Sequence, residues 1–223
     1  QLAIAAYEAA LTVFTRDASP RDHMNAGRQL GRMLLQNGNW DDAGAALASA
    51  RDAFLLQFGE GFDEVEARAL IADSGTLFAE AAYAAVQRGD NEAAISLADE
   101  GRARLLSVAL RLHALDLPAD RRHRLDELRG DIRAALIEAE TATGTDRAAA
   151  LETLAIKRQA LLALVNDVCA GDEGRETAIS EARRFAASGG AVVMPLVTEH
   201  GGKLIVVTAP VGNSDIAIID LPD

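Results

Sequence analysis

Leu30-Gly31, Leu34, Gly38-Asn39-Trp40-Asp41-Asp42-Ala43, Leu47, Ala50: this spacing is that of a helical hairpin, and it occurs twice. The second copy runs Ala81-Ala82, Ala85, Gly89-Asp90-Asn91-Glu92-Ala93-Ala94, Ala98, Gly101. In each, small residues fall where two helices approach closely, and a Gly-Asn or Gly-Asp turn divides them. Gly38 and Gly89 read as left-handed helix stops. Asn39 and Asp90 read as caps, and Asp41, Asp42 and Glu92 as first-turn charges favourable to the helix dipole. Such units cannot bury their apolar faces alone, so they stack. The interval from Gly38 to Gly89 exceeds the roughly 34 residues of a minimal two-helix repeat, which predicts longer helices here.

Outward from these copies, residues 2–15 place Leu2, Ala3, Ala6, Tyr7, Ala10, Leu11 and Phe14 on one helical face. Ser19-Pro20 restarts the chain, with Ser19 as cap, Pro20 at the first helical position and Asp22 in the first turn. Gly59-Glu60-Gly61 reads as a break before a helix reaching about Arg88, and the Asp90-capped helix reaches about Leu112. After Leu117-Pro118 the character shifts. Leu125, Leu128, Ile132 and Leu136, then Leu151, Leu154, Leu161, Val165 and Val168, step by threes and fours on either side of Thr143-Gly144-Thr145-Asp146. This predicts an antiparallel helical hairpin of coiled-coil type. Gly171-Asp172 reads as a stop and cap before a short helix ending near Ala187. From Ser188-Gly189-Gly190 the period becomes extended. Residues 191–197, 203–208 and 216–219 read as strands, the first two joined by Glu199-His200-Gly201-Gly202. Pro195 lacks an N–H, so its strand belongs at an edge or a bulge.

The expected organisation is therefore mainly α: helical repeats over residues 1–115, a helical hairpin and connecting helix over 116–187, and a small β segment over 188–223. The chain has 223 residues, 49% of them hydrophobic and 25% charged, which is a globular composition. Aromatics are only 4%, which favours alanine-rich helices packed at short distances. A net charge of -12 argues against binding a nucleic-acid backbone. No stretch reads as a membrane span or signal peptide, and a lone Cys169 cannot form an intrachain disulfide; the compartment is read as cytoplasmic. Both ends look like cuts through a longer protein, and a cut sheet would leave an apolar edge able to form a homodimer.

The first half resembles tetratricopeptide repeats, on Leu30-Gly31, Leu34, Gly38, Trp40, Ala43, Leu47 and Ala50, and more loosely on Ala82, Gly89, Ala94 and Ala98. Residues 3–10 look like the second helix of an earlier repeat. Residues 98–105 look like the last repeat helix of bacterial proteins that join such repeats to a CHAT domain, a caspase-like cysteine peptidase fold. Residues 189–221 are similar to the opening strands of that domain. The resemblance implies a repeat solenoid, a catalytic His and Cys beyond these strands, and a regulatory arm attached to an incomplete protease domain. Cys169 precedes the first strand and His200 sits in the first hairpin loop, so neither takes the catalytic role and no catalytic residue is assigned.

If the repeat register holds, Asn25, Arg28, Arg32 and Leu35 lie on the helix lining a concave groove, with Thr76 and Tyr83 in equivalent places one repeat later. Arg28 and Arg32, one turn apart, either grip a carboxylate of a protein or peptide partner or pair with acidic residues of the chain itself. Trp40 reads as packing against the preceding turn, with recognition as the alternative. Arg121-Arg122-His123-Arg124 reads as a solvated helix start, Gly189-Gly190 as a helix stop, and Cys169 as a helix-face thiol. His23, His113, His123 and His200 lack the close spacing of a zinc site and read as surface imidazoles, so no metal or cofactor is expected. The function expected is a protein–protein interaction scaffold that positions or restrains a caspase-like domain. The alternatives are a peptidase working through Cys169 and a structural dimerisation module.

Overall fold

The computed structural model describes residues 2–60, 70, 74, 76–101, 118–170, 177–211 and 214–222. Among them the chain is mainly helical and ends in a three-stranded antiparallel sheet. The helices are α1 (Leu2–Val13), α2 (Pro20–Gln36), α3 (Trp40–Glu60), α4 (Leu77–Gln87), α5 (Asn91–Asp99), α6 (Ala119–Thr141), α7 (Gly144–Ala170) and α8 (Ala178–Ala187). The strands are β1 (Val192–Thr198), β2 (Gly201–Val211) and β3 (Ser214–Leu221).

The two turns that define the repeated hairpin have the same backbone chemistry. Gly38 (φ 72°) and Gly89 (φ 79°) both adopt the left-handed conformation. At the first turn Asn39 N–H donates to Leu34 O (2.9 Å) and Gly38 N–H to Leu35 O (3.0 Å). At the second, Asp90 N–H donates to Ala85 O and Gly89 N–H to Val86 O, both at 2.9 Å. Each is a Schellman motif, which satisfies the orphan carbonyls of the ending helix. Asp90 then caps α5 by accepting from Ala93 N–H (3.2 Å). Ser19 makes no capping side-chain bond, contrary to expectation; its backbone oxygen accepts from His23 N–H instead.

Close approach explains the small residues. A methyl group on Gly31 would lie 2.5 Å from Leu47 Cγ, and one on Gly27 would lie 3.2 Å from Ala50 Cβ. Thus α2 and α3 pack backbone to side chain through Leu47 and Ala50, and Ala43 and Phe54 of the same helix are also wholly buried, Phe54 edge-on to Phe78 of α4. On the next hairpin a methyl at Gly101 would meet Phe78 Cβ at 2.5 Å. The α2–α3 and α4–α5 hairpins lie side by side through α3 and α4. Helix α1 contributes a thinner contact. Its inward residues are Ile4, Tyr7 and Leu11, whereas Leu2, Ala3 and Ala6 of the expected face are exposed.

No break occurs at Gly59-Glu60; α3 continues through both. Gly59 is there because α7 crosses it: a methyl would sit 2.6 Å from Val165 Cγ2. Helices α6 and α7 form the expected antiparallel hairpin, sealed by Leu125, Leu128, Ile132, Leu154, Leu161 and Val165. Leu151 is exposed instead of inward, and the Val168 side chain lies outside the described residues. Arg158 of α7 is only 4% exposed and spans three elements. Its guanidinium donates to both oxygens of Glu60 (2.5 and 3.2 Å) and to the backbone oxygens of Asp17 and Ala18 (2.5 and 3.2 Å). The expected stop at Gly171-Asp172 and the helix beyond Gly101 lie outside the described residues. The α8 cap is Thr177, whose hydroxyl accepts from Ser180 N–H.

The sheet order is β1-β2-β3, so Pro195 stands on an outer strand as its missing N–H requires. Thr198 pairs with Gly201, leaving Glu199 and His200 as a two-residue hairpin tip. Leu196, Ile205 and Val207 face inward against α4, α5 and α8. The other face is also apolar: Val193, Val206 and Ala217 form one cross-strand row, and Pro195, Leu204 and Ile219 the next. One hydrophobic cluster runs from Met24 in α2 to Val207 in β2, so the three expected segments share a core. Among the described residues no helix is long and apolar enough to cross a membrane.

Candidate functional site: the inner face of α2 and α4

Arg28 and Arg32 stand one turn apart on α2, opposite Thr76, Glu80 and Tyr83 at four- and three-residue steps on and just before α4. Arg32 Nε donates to Glu80 Oε1 (2.7 Å), and Arg32 Nη2 donates to Thr76 Oγ1 (2.7 Å). The Thr76 hydroxyl in turn donates to the same Glu80 oxygen at 2.5 Å. Thr76 occupies the cap position of α4 but makes no capping bond; its hydroxyl is committed to this network. Glu80 is 0% exposed, so its carboxylate depends on the guanidinium and hydroxyl for the solvation it has lost. Arg28 Nη1 donates to Ser74 O (3.2 Å).

The tip of the β1–β2 hairpin sits on this constellation. Tyr83 OH donates to His200 O (2.9 Å), and the Tyr83 ring lies 6.3 Å from the His200 ring. The Glu199 carboxylate approaches Arg32 Nε at 3.5 Å. Lys203 Nζ lies 5.8 Å from the Tyr83 ring centre, a cation–π distance, while also binding Asp220 across the sheet. A methyl on Gly201 would be 3.4 Å from Tyr83 OH, so the hairpin backbone itself lies against the ring. Trp40 packs edge-on to Tyr83 (centroids 6.4 Å), in line with its reading as a packing residue.

Three potential ligand atoms, one each from Glu80, Glu199 and His200, all lie within 4.8 Å of one another. The His200 side chain is 6% exposed, and its Nε2 is 3.7 Å from Glu199 Oε1, beyond hydrogen-bond reach. Neither His200 Nε2 nor Glu80 Oε2 has a hydrogen-bond partner among the described residues. A buried polar atom left so costs about 1–3 kcal/mol.

Of the residues expected on the groove, Arg28, Arg32, Thr76 and Tyr83 do converge. Asn25 is exposed, and Leu35 (2% exposed) belongs to the core instead of the groove. Pairing with acidic residues of the chain, the alternative for the arginines, is realised at Arg32. Glu80, Glu199 and Lys203 take no role from the sequence, and His200 reads there only as a surface imidazole in the hairpin loop; a glutamate inside the alanine-rich, otherwise apolar run of α4 is the one available signal. His23 is buried instead of surface-exposed, and His200 is half-buried with its side chain largely covered. His23 is held by Phe14 O and Ser49 Oγ, both at 2.8 Å.

Elsewhere, the basic cluster at the start of α6 is engaged locally: Arg121 with Asp167 (3.3 Å), His123 and Arg124 with Glu127 (3.2 and 3.3 Å). Gly189 (φ 92°) ends α8 as read, its N–H donating to Ala186 O (3.0 Å). Arg183 of α8 bridges Glu92 and Asp215, and its hydrogen bond holds the Asp215 carboxyl below the usual carboxylate range. A cleft of about 290 Å³ opens between Phe78, Ala98 and Gly101 on the helices and Leu196 and Val197 on β1. The Cys169 side chain and His113 lie outside the described residues. No protein-family model, curated protein or solved structure matches the chain.

Proposed function

We propose that this chain is a protein–protein interaction scaffold: a solenoid of tetratricopeptide-type hairpins whose inner face grips a β module resembling the opening of a caspase-like CHAT domain. In a longer protein it positions or restrains that domain. The observation that carries the reading is the seat of the hairpin tip. Glu199 presents a carboxylate to Arg32 and the His200 carbonyl accepts from Tyr83, which is how a groove of this kind would hold an acidic peptide. A partner bearing a carboxylate then competes with Glu199 for Arg32, coupling partner binding to release of the sheet. No step of this reading calls on catalysis by the chain itself.

An array of acidic peptides probed with the wild type, Glu199→Ala and Arg28→Glu tests the proposal. Removing the internal competitor raises peptide occupancy, and reversing the Arg28 charge lowers it. Equal binding by all three proteins, or none by any, rejects it. The apolar outer face of the sheet, with Val193 53% and Val197 68% exposed, supports a second reading as a homodimerisation module. Sedimentation showing only monomer would reject that one.

A further inference from the structure

We infer that Glu80, Glu199 and His200 form a binding site for a divalent first-row transition ion of the zinc class, which clamps the β1–β2 hairpin onto α4. The three donor atoms come from two parts of the chain and meet within 4.8 Å of one another. Tetrahedral ligands held about 2.0–2.1 Å from zinc stand about 3.3 Å apart. The donors therefore need to close by no more than about 1.5 Å, a rotation of the Glu199 side chain and a small one of His200.

Two further observations point into the cluster. His200 Nε2 belongs to a side chain that is 6% exposed, and Glu80 Oε2 to a residue that is 0% exposed; neither has a partner among the described residues. Arg32 and Thr76 both engage Oε1 of Glu80, so Oε2 is the oxygen left without a partner. Glu80 and Glu199 share Arg32, while Lys203 is held by Asp220, so two carboxylates meet one guanidinium in direct contact, which suits a dication. One imidazole nitrogen with carboxylate oxygens is a donor set for zinc and its neighbours, not for magnesium or calcium, which take oxygen alone. Three protein ligands leave a fourth position to solvent. Since Glu199 and His200 form the hairpin tip and Glu80 lies on the helix beneath, the ion makes seating of the sheet metal-dependent.

The test uses the full chain in a Cys169→Ala background, which removes the competing thiol, with zinc alone as titrant and calorimetry as the readout. One equivalent is expected to bind. Changes to outer-shell partners of a metal ligand already cost about 10–100-fold in affinity, so loss of a direct ligand in His200→Ala or Glu199→Gln should weaken binding tenfold or more, with magnesium failing to compete. Glu80→Gln strips Arg32 of its buried partner and compromises the fold, so the two hairpin variants decide, with circular dichroism confirming their helicity. Absence of one-to-one binding in the parent protein, or a loss below tenfold in both variants, overturns the site. Zinc binding is read without any peptide, so its failure is distinct from failure of the scaffold proposal.

Discussion

Replacing Gly31 by alanine puts a methyl carbon 2.5, 2.7 and 3.3 Å from three carbons of Leu47, a residue with no exposure and no room to withdraw. Overpacking of this kind costs about 1–3 kcal/mol. Three simultaneous short contacts on a fully buried leucine place Gly31→Ala at the upper end. The gain in helix propensity, about 0.5–1 kcal/mol, offsets part of it. The net loss is about 2 kcal/mol, or a fall in Tm of about 4–8 °C for a chain of this size. Gly130 is the internal control. It lies exposed within α6 with nothing within 4 Å of an added methyl, so Gly130→Ala should stabilise by about 0.5–1 kcal/mol. Urea unfolding of both variants against the wild type separates the two effects. A third protein, Gly31→Ala with Leu47→Ala, removes the clash and should show a cost below the sum of its two single changes. If Gly31→Ala were as stable as Gly130→Ala, close approach of α2 and α3 would not be what glycine serves there.

The Arg158→Ala change leaves Glu60 without its bidentate partner and should cost about 3–5 kcal/mol by thermal or urea unfolding, with Glu60→Ala adding much less on top of it. Asp215 should titrate below the usual carboxylate range, and Arg183→Gln should raise its midpoint toward that range, as followed by carboxyl carbon chemical shifts. The sign follows from the lowered folded value: the Arg183–Asp215 link between α8 and β3 is intact above the ordinary carboxylate pKa and is lost as pH falls through the depressed one. The wild-type chain should cleave no peptide library; turnover that disappears on Cys169→Ala would reinstate the peptidase alternative.

What could be read from sequence was what neighbours in the chain decide. The turns at Gly38 and Gly89 follow from local backbone chemistry, and both hairpins appear where the Gly-Asn and Gly-Asp pairs put them. The α6–α7 hairpin follows from three-four periodicity, and the β1–β2 hairpin from strand spacing, although Gly201 and Gly202, read as loop, pair with Thr198 and Val197 and leave a two-residue tip. What escaped depends on tertiary approach. Gly59 reads locally as a break and is in fact the notch through which α7 crosses α3. Arg158 and Glu60 meet across 98 residues of chain, and Tyr83 reaches the His200 carbonyl across 117. Leu35 failed as a groove residue because a few tens of degrees around α2 separate the inner face from the core. Linear spacing of the histidines carries no information on the proposed site, whose donors come from α4 and a distant hairpin.

The seat of the hairpin on α2 and α4 carries the functional account, and one experiment addresses it directly. The chain has two tyrosines, so the Tyr83 ring protons are readily assigned in a proton–proton cross-relaxation spectrum. Cross-peaks from that ring to the Gly201 α-protons and the His200 ring are predicted. Assigned Tyr83 and Gly201 signals with no cross-peak between them would contradict it.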